Sequence, residues 1–301
     1  MNLPIKSTDV TRTILDEIYK ALGVSTQPWF RRFLDPILSI PINRFADICV
    51  GLDQRIQSDG FTSAAKWTLP FFIEQVLFTG EQLIPQQGPL LVISNHPGGV
   101  DSVCITAGLN RDDLRIVAYE VPFYRTLPNV SDHFIYATDN KLERMSALRE
   151  SIRHLQSGGA LLLFASATID PDPAVAEGAE EELEDWSLSI PIILRKVPDV
   201  QIVLCIAGGL ITRRYIDHPI TRLRQEPLDK RRLAEFLQIL NQILFKKTFH
   251  LRPLITFSNP FLPYQLKASD SDESNLSTVI DYARKMVRDY KGLYGRKNQN
   301  S

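Results

Sequence analysis

Three short runs of almost purely apolar residues constrain the fold of this chain more than any other feature. They occupy residues 90–94 (LLVIS), 160–165 (ALLLFA) and 200–207 (VQIVLCIA). Each is short for a helix and lacks the polar alternation of a strand with one exposed face, so each is typical of a strand buried on both faces. Weaker strand-like runs occur at residues 114–118, 133–137 and 253–258.

Amphipathic stretches separate these strands and have the length and end signals of helices. They lie at residues 102–109, 141–156 and 230–247, and Gly158-Gly159 is a common helix stop after the second. Because strands alternate with helices, we predict an α/β fold with a mixed, mostly parallel central sheet flanked by helices.

Both ends of the chain are predicted to be helical. Three N-terminal helices are predicted to begin at Thr8-Asp9, Pro41 and Thr62, the first two ending near residues 22 and 57. The apolar stretch at residues 67–80 suits a core or interfacial helix, and an amphipathic helix at 275–293 follows a polar linker at 267–273. The chain is thus divided into a helical region at 1–80, an α/β domain at 81–265, and a linker with a C-terminal helix at 266–301.

The composition argues against several classes of function. The chain has 34 Lys and Arg against 35 Asp and Glu, and a net charge of −1 gives no general attraction for nucleic acid. Cys49, Cys104 and Cys205 are far apart and lack metal-ligand spacing, so they are predicted to be buried free thiols in a reducing compartment. No run reaches the ~18 apolar residues of a spanning helix, and no signal peptide is predicted.

The most informative segment is N-H-P-G-G-V-D at residues 95–101, between a predicted strand and a predicted helix. On a straight helix His96 and Asp101 would point about 140° apart, so they can meet only if His96 precedes the helix and folds back. Pro97, whose φ suits a first helical turn, and the glycines that follow make such a turn easy. Asp101 would then orient the imidazole and leave its other nitrogen as a base. The alternative is an ordinary loop histidine and a helix-start aspartate.

The N-H-x4-D pattern directly after a buried strand resembles the signature of the glycerol-3-phosphate and lysophosphatidate acyltransferase family. The resemblance covers roughly residues 83–263. Weaker blocks follow in the family's order at residues 117–123 (VAYEVPF), 148–164, 189–192 (SIPI) and 258–261 (SNPF). On these residues the chain is identified as a member of that family.

The resemblance implies an enzyme of phospholipid biosynthesis in which His96 deprotonates a hydroxyl or amine of a lipid acceptor. The acyl donor is a thioester of CoA or of acyl-carrier protein, and because a thioester has a good leaving group, neither a metal nor another cofactor is expected. Amides at the helix start would stabilise the oxyanion. The predicted substrate-binding residues are Asn95, Gly98, Gly99, His133, Ser166 and Thr168.

Two later motifs depart from the family's pattern. Where F-I-x-R is usual, this chain has Ala137 in place of the arginine. Where F-P-E-G-T-R is usual, it keeps Thr168 but has Ser166 for the glutamate and Ile169 for the arginine. Eight acidic residues follow between 170 and 185, typical of a solvated loop. Such a loop beside the acceptor would disfavour a phosphate dianion, so we predict an acceptor other than a simple phosphomonoester.

Peripheral contact with the inner face of a membrane is predicted from local patches. Residues 29–33 (WFRRF) pair aromatic rings with cations, as interfacial segments do, although a helix end on an ordinary surface explains them equally well. Basic residues able to meet CoA phosphates or anionic lipid cluster at Arg213, Arg214, Arg222 and Arg224. Two other functions stay open: a non-catalytic lipid- or acyl-binding protein on the same fold, and a hydrolase that uses His96 to activate water.

Overall fold

The computed structural model describes residues 7–21, 28–98, 100–245, 250–266 and 272–299. In these residues a seven-stranded sheet lies between two layers of helices. The strands are β1 (Leu77–Thr79), β2 (Leu90–Ser94), β3 (Leu114–Tyr119), β4 (Phe134–Ala137), β5 (Ala160–Phe164), β6 (Gln201–Gly208) and β7 (Leu254–Phe257). The α-helices are α1 (Ser7–Ala21), α2 (Pro28–Asp59), α3 (Phe61–Thr68), α4 (Asp101–Leu109), α5 (Pro128–Asp132), α6 (Lys141–Gln156), α7 (Ser189–Lys196), α8 (Arg213–Ile216), α9 (Pro227–Leu244) and α10 (Asp272–Gln299).

The strand order is β1-β7-β6-β2-β5-β3-β4. The five strands from β6 to β4 are parallel, whereas β7 is antiparallel to β6 and parallel to β1. This confirms the predicted mixed, mostly parallel α/β sheet. The strand β2 lies between β6 and β5, so its carboxyl end is in the middle of the edge where open α/β sheets bind ligands.

Alternate residues of the central strands enter two separate cores. On β2, Leu90 and Val92 face the layer that includes α1 to α4, and Leu91 and Ile93 face the layer of α6, α7 and α10. The strand is therefore buried on both faces, which is why its sequence is continuously apolar.

Two predictions about the N-terminal region are wrong. Pro41 does not begin a helix but lies inside α2, which runs through Pro36 as well. Burial of Ile42 and Ala46 in the core outweighs the lost backbone donor at each proline. Residues 67–80 do not form one helix, because α3 ends at Thr68 before Pro70 and the chain then enters the sheet as β1.

The C-terminal helix α10 is longer than predicted and begins at Asp272. Most of the predicted linker, residues 267–271, lies outside the described residues. The division of the chain at residues 80 and 265 stays a prediction. Within the described residues, no helix is both long enough and apolar enough to cross a membrane.

Candidate active site

His96 lies at the carboxyl end of the parallel strands, two residues beyond the end of β2. The neighbouring strands bring two further segments to this position. Ala165, just after β5, donates its amide to the Ser94 carbonyl at 3.0 Å, and Ala207 at the end of β6 pairs with Asn95. The edge therefore assembles its side chains from three separate stretches of the chain.

The imidazole of His96 meets the carboxylate of Asp101, as the folded-back turn requires. Nδ1 of His96 lies 2.8 Å from Oδ2 of Asp101. The Asp101 side chain is fully buried, whereas 26% of the His96 side chain is exposed. Nε2 has no hydrogen-bond partner in the described part of the chain, and Phe164 packs on the ring with centroids 4.3 Å apart. One nitrogen is thus held by Asp101 and the other is left for a substrate.

The turn between His96 and Asp101 differs from the predicted one. Pro97 is not in the first helical turn, because α4 begins at Asp101. The amide of Gly98 donates to Asp101 Oδ2 at 3.2 Å, and the Asp101 amide donates to the Gly98 carbonyl at 3.0 Å. The Gly98 amide is therefore already occupied by Asp101, and the predicted contact of Gly98 with a substrate stays a prediction. Gly99 lies outside the described residues.

A second carboxylate, Asp170, holds the backbone of His96 from the other side. The His96 amide donates to Asp170 Oδ2 at 2.7 Å, and the Asp170 amide donates to the His96 carbonyl at 2.8 Å. Asp170 is only 4% exposed, and its Oδ1 has no hydrogen-bond partner among the described residues. Burial raises the pKa of Asp170, against the hydrogen bonds from Ser166 and His96. The local sequence gave no signal for this contact.

The charges around His96 favour its protonated form. Burial lowers the pKa of the imidazole, but the carboxylates of Asp101, Glu235 and Asp170 outweigh it and raise that pKa to about 9. Glu235 reaches the site from α9, where its carboxylate lies 3.9 Å from the position of a side chain added at Gly98. The imidazole of His96 therefore favours its protonated form at neutral pH.

A third carboxylate, Asp172, anchors the chain just beyond Asp170. Its oxygens accept the amides of Ala174, Gly209, Leu210 and Ile211 at 2.8 to 3.2 Å. Burial raises its pKa, and the four amides oppose that rise. These bonds fix the loop after β5 to the end of β6, and so hold Asp170 in place.

Ser166 and Thr168 lie in the tight turn between β5 and Asp170, beside His96. Ala167 has a φ of +57°, a conformation that costs a non-glycine residue about 1 to 2 kcal/mol, in a position where the related motif has glycine. Ser166 is half-buried and hydrogen-bonds within the turn, and Thr168 is exposed. That Ser166 and Thr168 bind a substrate stays a prediction.

An arginine from α9 reaches this turn although the motif itself has none. Arg231 donates to the carbonyl of Ile169 at 2.6 Å and pairs with Glu182 at 2.9 Å. It lines a pocket of about 190 Å³ with Pro97, Asp170 and Lys230, and most of the remaining wall is apolar. The motif itself does not indicate this guanidinium, because Arg231 lies 62 positions beyond Ile169 in the sequence.

Two predicted substrate-binding residues have other contacts. Asn95 is buried and its amide bonds the Ala207 backbone in both directions, at 2.9 and 2.8 Å, so it joins β2 to β6. His133 stacks on Phe61 and its Nδ1 bonds the Leu114 carbonyl at 2.8 Å, which places it at the start of β4 and not at the carboxyl edge. Burial lowers the pKa of His133. Neither side chain faces the site.

The acidic run at 170–185 is not a uniformly solvated loop. Asp170 and Asp172 are buried, and three glutamates pair with arginines of α9 and α10. These pairs are Glu182–Arg231, Glu184–Arg284 and Glu180–Arg288. The electrostatic penalty expected for an anionic acceptor is therefore smaller than the sequence predicts.

An apolar groove of about 420 Å³ runs between α9, α1, α2 and the segment after β3. Three of its residues, Phe45, Phe123 and Ile239, also line an inner cavity of about 120 Å³. Val100, Ser102 and Val103 form part of that cavity wall, next to Asp101. The three cysteines are free and buried, as predicted. The described residues contain no cluster suited to a metal ion.

Comparison with known proteins identifies this region. The sequence model of the acyltransferase family matches residues 75–189, from β1 to the start of α7, and includes His96, Asp101 and Asp170. This part of the chain is an acyltransferase domain. The protein is thus an acyltransferase, and the turn between β2 and α4 lies inside the matched residues.

The acyltransferase also has a similar solved structure. The crystal structure of the 1-acyl-sn-glycerophosphate (LPA) acyltransferase PlsC from Thermotoga maritima matches it with a TM-score of 0.46 and 16% sequence identity, over 95% of this chain and 96% of that chain. No curated protein is similar enough in sequence to match the acyltransferase.

Proposed function

We propose that this acyltransferase moves a fatty acyl group from an acyl thioester to a hydroxyl or amine of a lipid acceptor, with His96 as general base and Asp101 as its partner. The observation that carries the proposal is the 2.8 Å contact between His96 Nδ1 and Asp101 Oδ2, which leaves Nε2 at a partly exposed surface. A carboxylate on one imidazole nitrogen fixes the tautomer in which the other nitrogen accepts a proton.

The proposed reaction needs one proton acceptor. Nε2 of His96 takes the proton of the acceptor group as its oxygen or nitrogen attacks the thioester carbonyl carbon. The tetrahedral intermediate then collapses, the carbon–sulfur bond breaks, and the thiolate takes the proton back from the imidazolium. A pKa of about 9 for His96 is close to that of a thiol, ~8.5, so the return of the proton is nearly balanced.

The apolar groove and the inner cavity are the proposed site of the fatty acyl chain. The side chains that line the groove are mostly aliphatic and aromatic, and the inner cavity continues it to α4 beside Asp101. An acyl chain buried there would bring its thioester carbonyl toward His96. Cys104 is a poor alternative nucleophile because it is fully buried, and burial raises its pKa well above the usual range.

The proposed acceptor is a lipid headgroup other than a simple phosphomonoester. The pocket next to Pro97 has a mostly apolar wall that also carries three carboxylates, Asp170, Asp172 and Glu177, and two cations, Lys230 and Arg231. Arg231 is already paired with Glu182. Such a mixed lining suits a hydroxyl or amine donor better than a dianion. The reaction is proposed to take place at the inner face of a membrane, with the enzyme bound peripherally.

Thiol release from acyl-CoA with a panel of lipid acceptors tests the function. We expect His96→Ala to lose about 10³-fold in acyl transfer while keeping its melting temperature. His250→Ala is the matched control, because His250 is exposed and pairs only with Glu74 among the described residues. Equal activity of His96→Ala and wild type would contradict the assignment of His96 as the general base.

The products separate the proposal from its alternatives. Transfer gives an acylated acceptor, hydrolysis gives free fatty acid, and a lipid-binding protein releases no thiol. Lysophosphatidate and an uncharged monoacylglycerol belong in the panel, because preference for the former would contradict the proposed acceptor class.

A further inference from the structure

The segment from Arg213 to Arg232 is strongly basic in a chain that is nearly neutral. It contains seven Lys and Arg against three Asp and Glu, whereas the whole chain has a net charge of −1. Most of the excess lies in residues 213–224, which we name the arginine loop. Its cations are Arg213, Arg214, Arg222 and Arg224.

These four arginines differ from the other arginines near the site. Arg231, Arg284 and Arg288 each pair with a glutamate of the acidic run. The side chains of the four arginines in the loop have no ion pair or hydrogen bond within the part of the chain that the structure describes. Unpaired cations within one short segment of the chain attract an anionic partner.

The arginine loop also exposes apolar side chains between its cations. Leu223 is 81% exposed and Ile220 is 46% exposed. Thr221 between them is fully buried, and its hydroxyl lies 2.6 Å from the His218 carbonyl oxygen. The buried Thr221 therefore holds the loop in a shape that leaves Ile220 and Leu223 in solvent.

The position of the arginine loop connects it to the proposed acyl site. Arg224 lines the apolar groove, together with Asp229 and Arg232 of α9. The remainder of the groove lining is apolar, so these charged residues mark its polar end. A partner surface that bound the arginine loop would therefore lie next to the apolar groove.

We propose that the arginine loop docks the protein on an anionic lipid bilayer, with Ile220 and Leu223 inserted at the headgroup boundary and the arginines on lipid phosphates. Cations interleaved with exposed apolar side chains have the chemistry of an interfacial binding surface. The phosphates of CoA would account for the arginines but not for the exposed apolar side chains. The inference rests on the proposed function in that a membrane supplies the lipid acceptor.

Vesicle co-sedimentation tests the docking surface. The probes are vesicles of phosphatidylcholine alone and of phosphatidylcholine with phosphatidylglycerol. Wild type should bind the anionic vesicles more tightly than vesicles of phosphatidylcholine alone. This difference in affinity should decrease as the salt concentration rises. Ile220→Ser/Leu223→Ser should weaken binding about tenfold. Arg222→Gln should weaken binding to the anionic vesicles about fivefold and leave binding to phosphatidylcholine unchanged.

Leu142→Ser is the matched control for the apolar substitutions. Leu142 is 77% exposed, close to Leu223, but it lies on α6 in the opposite helix layer. The Leu142→Ser variant should bind both kinds of vesicle as tightly as wild type does. Melting temperatures should be unchanged in all variants, since the substituted side chains are exposed.

Two results would overturn the docking surface. The first is equal vesicle binding by wild type and the loop variants. The second is a raised KM of Arg222→Gln for acyl-CoA in a vesicle-free assay with unchanged vesicle binding, which would assign the loop to the CoA phosphates. His96→Ala should bind vesicles normally. If wild type transferred no acyl group while the loop variants lost vesicle binding, the proposed function would fail and the docking surface would stand.

Discussion

Two walls of the site, one at the strand ends that carry His96 and one along the apolar groove, are built in different ways. The wall at the ends of β2, β5 and β6 is fixed by buried carboxylates, since Asp101, Asp170 and Asp172 each bind backbone amides. The wall formed by α9 and α2 is an apolar groove, and Arg224 and Arg232 at its polar end have no carboxylate partner in the described residues. On the proposed function, we expect the buried hydrogen bonds around His96 to set the rate of the reaction and the shape and charge of the groove to select the substrate.

This difference predicts which property each substitution changes. Buried carboxylates are costly to disturb, because removing one leaves several amides without partners. Substitutions in that wall should therefore change the rate or the free energy of unfolding. Groove side chains pack loosely around an open volume, so substitutions there should change the choice of acyl chain and leave the fold intact.

Asp101→Asn should have the largest effect in the carboxylate wall. The amide has no charge to stabilise the imidazolium that forms, and it no longer fixes the tautomer of His96. We expect kcat to fall about 10³-fold with a melting temperature near that of wild type, measured by thiol release and thermal unfolding. A kcat within threefold of wild type would show that the two walls do not differ in the way described.

Asp172→Ala should destabilise the protein more than it alters the groove. Four amides lose their acceptor inside the structure, at Ala174, Gly209, Leu210 and Ile211. We expect the free energy of unfolding to fall by about 3 to 5 kcal/mol in chemical denaturation. Asp199→Ala, on an exposed turn, is the control and should change it by less than about 0.5 kcal/mol.

Asp170→Asn should move the pH profile without loss of the fold. In wild type kcat/KM should rise with pH and level off above about 9, because below its pKa His96 already holds a proton. Loss of the Asp170 charge disfavours the imidazolium, so the inflection should shift to lower pH. The amide oxygen can still accept the His96 amide, and Oδ1 receives no hydrogen bond that would be lost.

Glu150→Gln is the control for that profile. Glu150 pairs with Arg115 at a half-exposed surface site and is not among the groups that shift the pKa of His96. The pH at which kcat/KM of Glu150→Gln levels off should coincide with that of wild type. An Asp170→Asn profile that also coincides would mean that Asp170 holds the backbone only.

Ile239→Trp should have the smallest effect, confined to the groove wall. Ile239 lines both the groove and the inner cavity, so a larger side chain there would shorten the space for an acyl chain. We expect kcat/KM for long-chain acyl-CoA to fall about tenfold and that for short chains to stay within threefold. Leu244→Trp, at the end of α9 and outside the groove lining, should leave the chain-length preference unchanged.

The helices and strands that were predicted correctly are those with a strong local pattern. The bounds of β2 and α6 agree with the prediction, because a continuous apolar run and a capped amphipathic stretch each determine their own structure. The helices and strands of the N-terminal region were harder to predict from the sequence. Core packing of α2 overrode its prolines, and pairing of β1 with β7 overrode the helical appearance of residues 67–80.

The site shows the same division. The spacing of His96 and Asp101 was visible in the sequence, since both lie on one turn. Asp170 and Glu235 come to His96 from 74 and 139 positions away, and Arg231 reaches the nearby turn at Ile169 from 62 positions away. No local pattern indicates which distant carboxylate or guanidinium will arrive there. Asn95 lies beside His96 in sequence, yet its amide faces β6.

By itself the sequence determined the α/β class, the central strands and the turn that brings a histidine to an aspartate, because these depend on neighbouring residues. Only the tertiary structure decided how that histidine is charged and held. The pKa of His96 depends on carboxylates from α4, α9 and the loop after β5, and their distances exist only once the sheet has placed those segments at one edge.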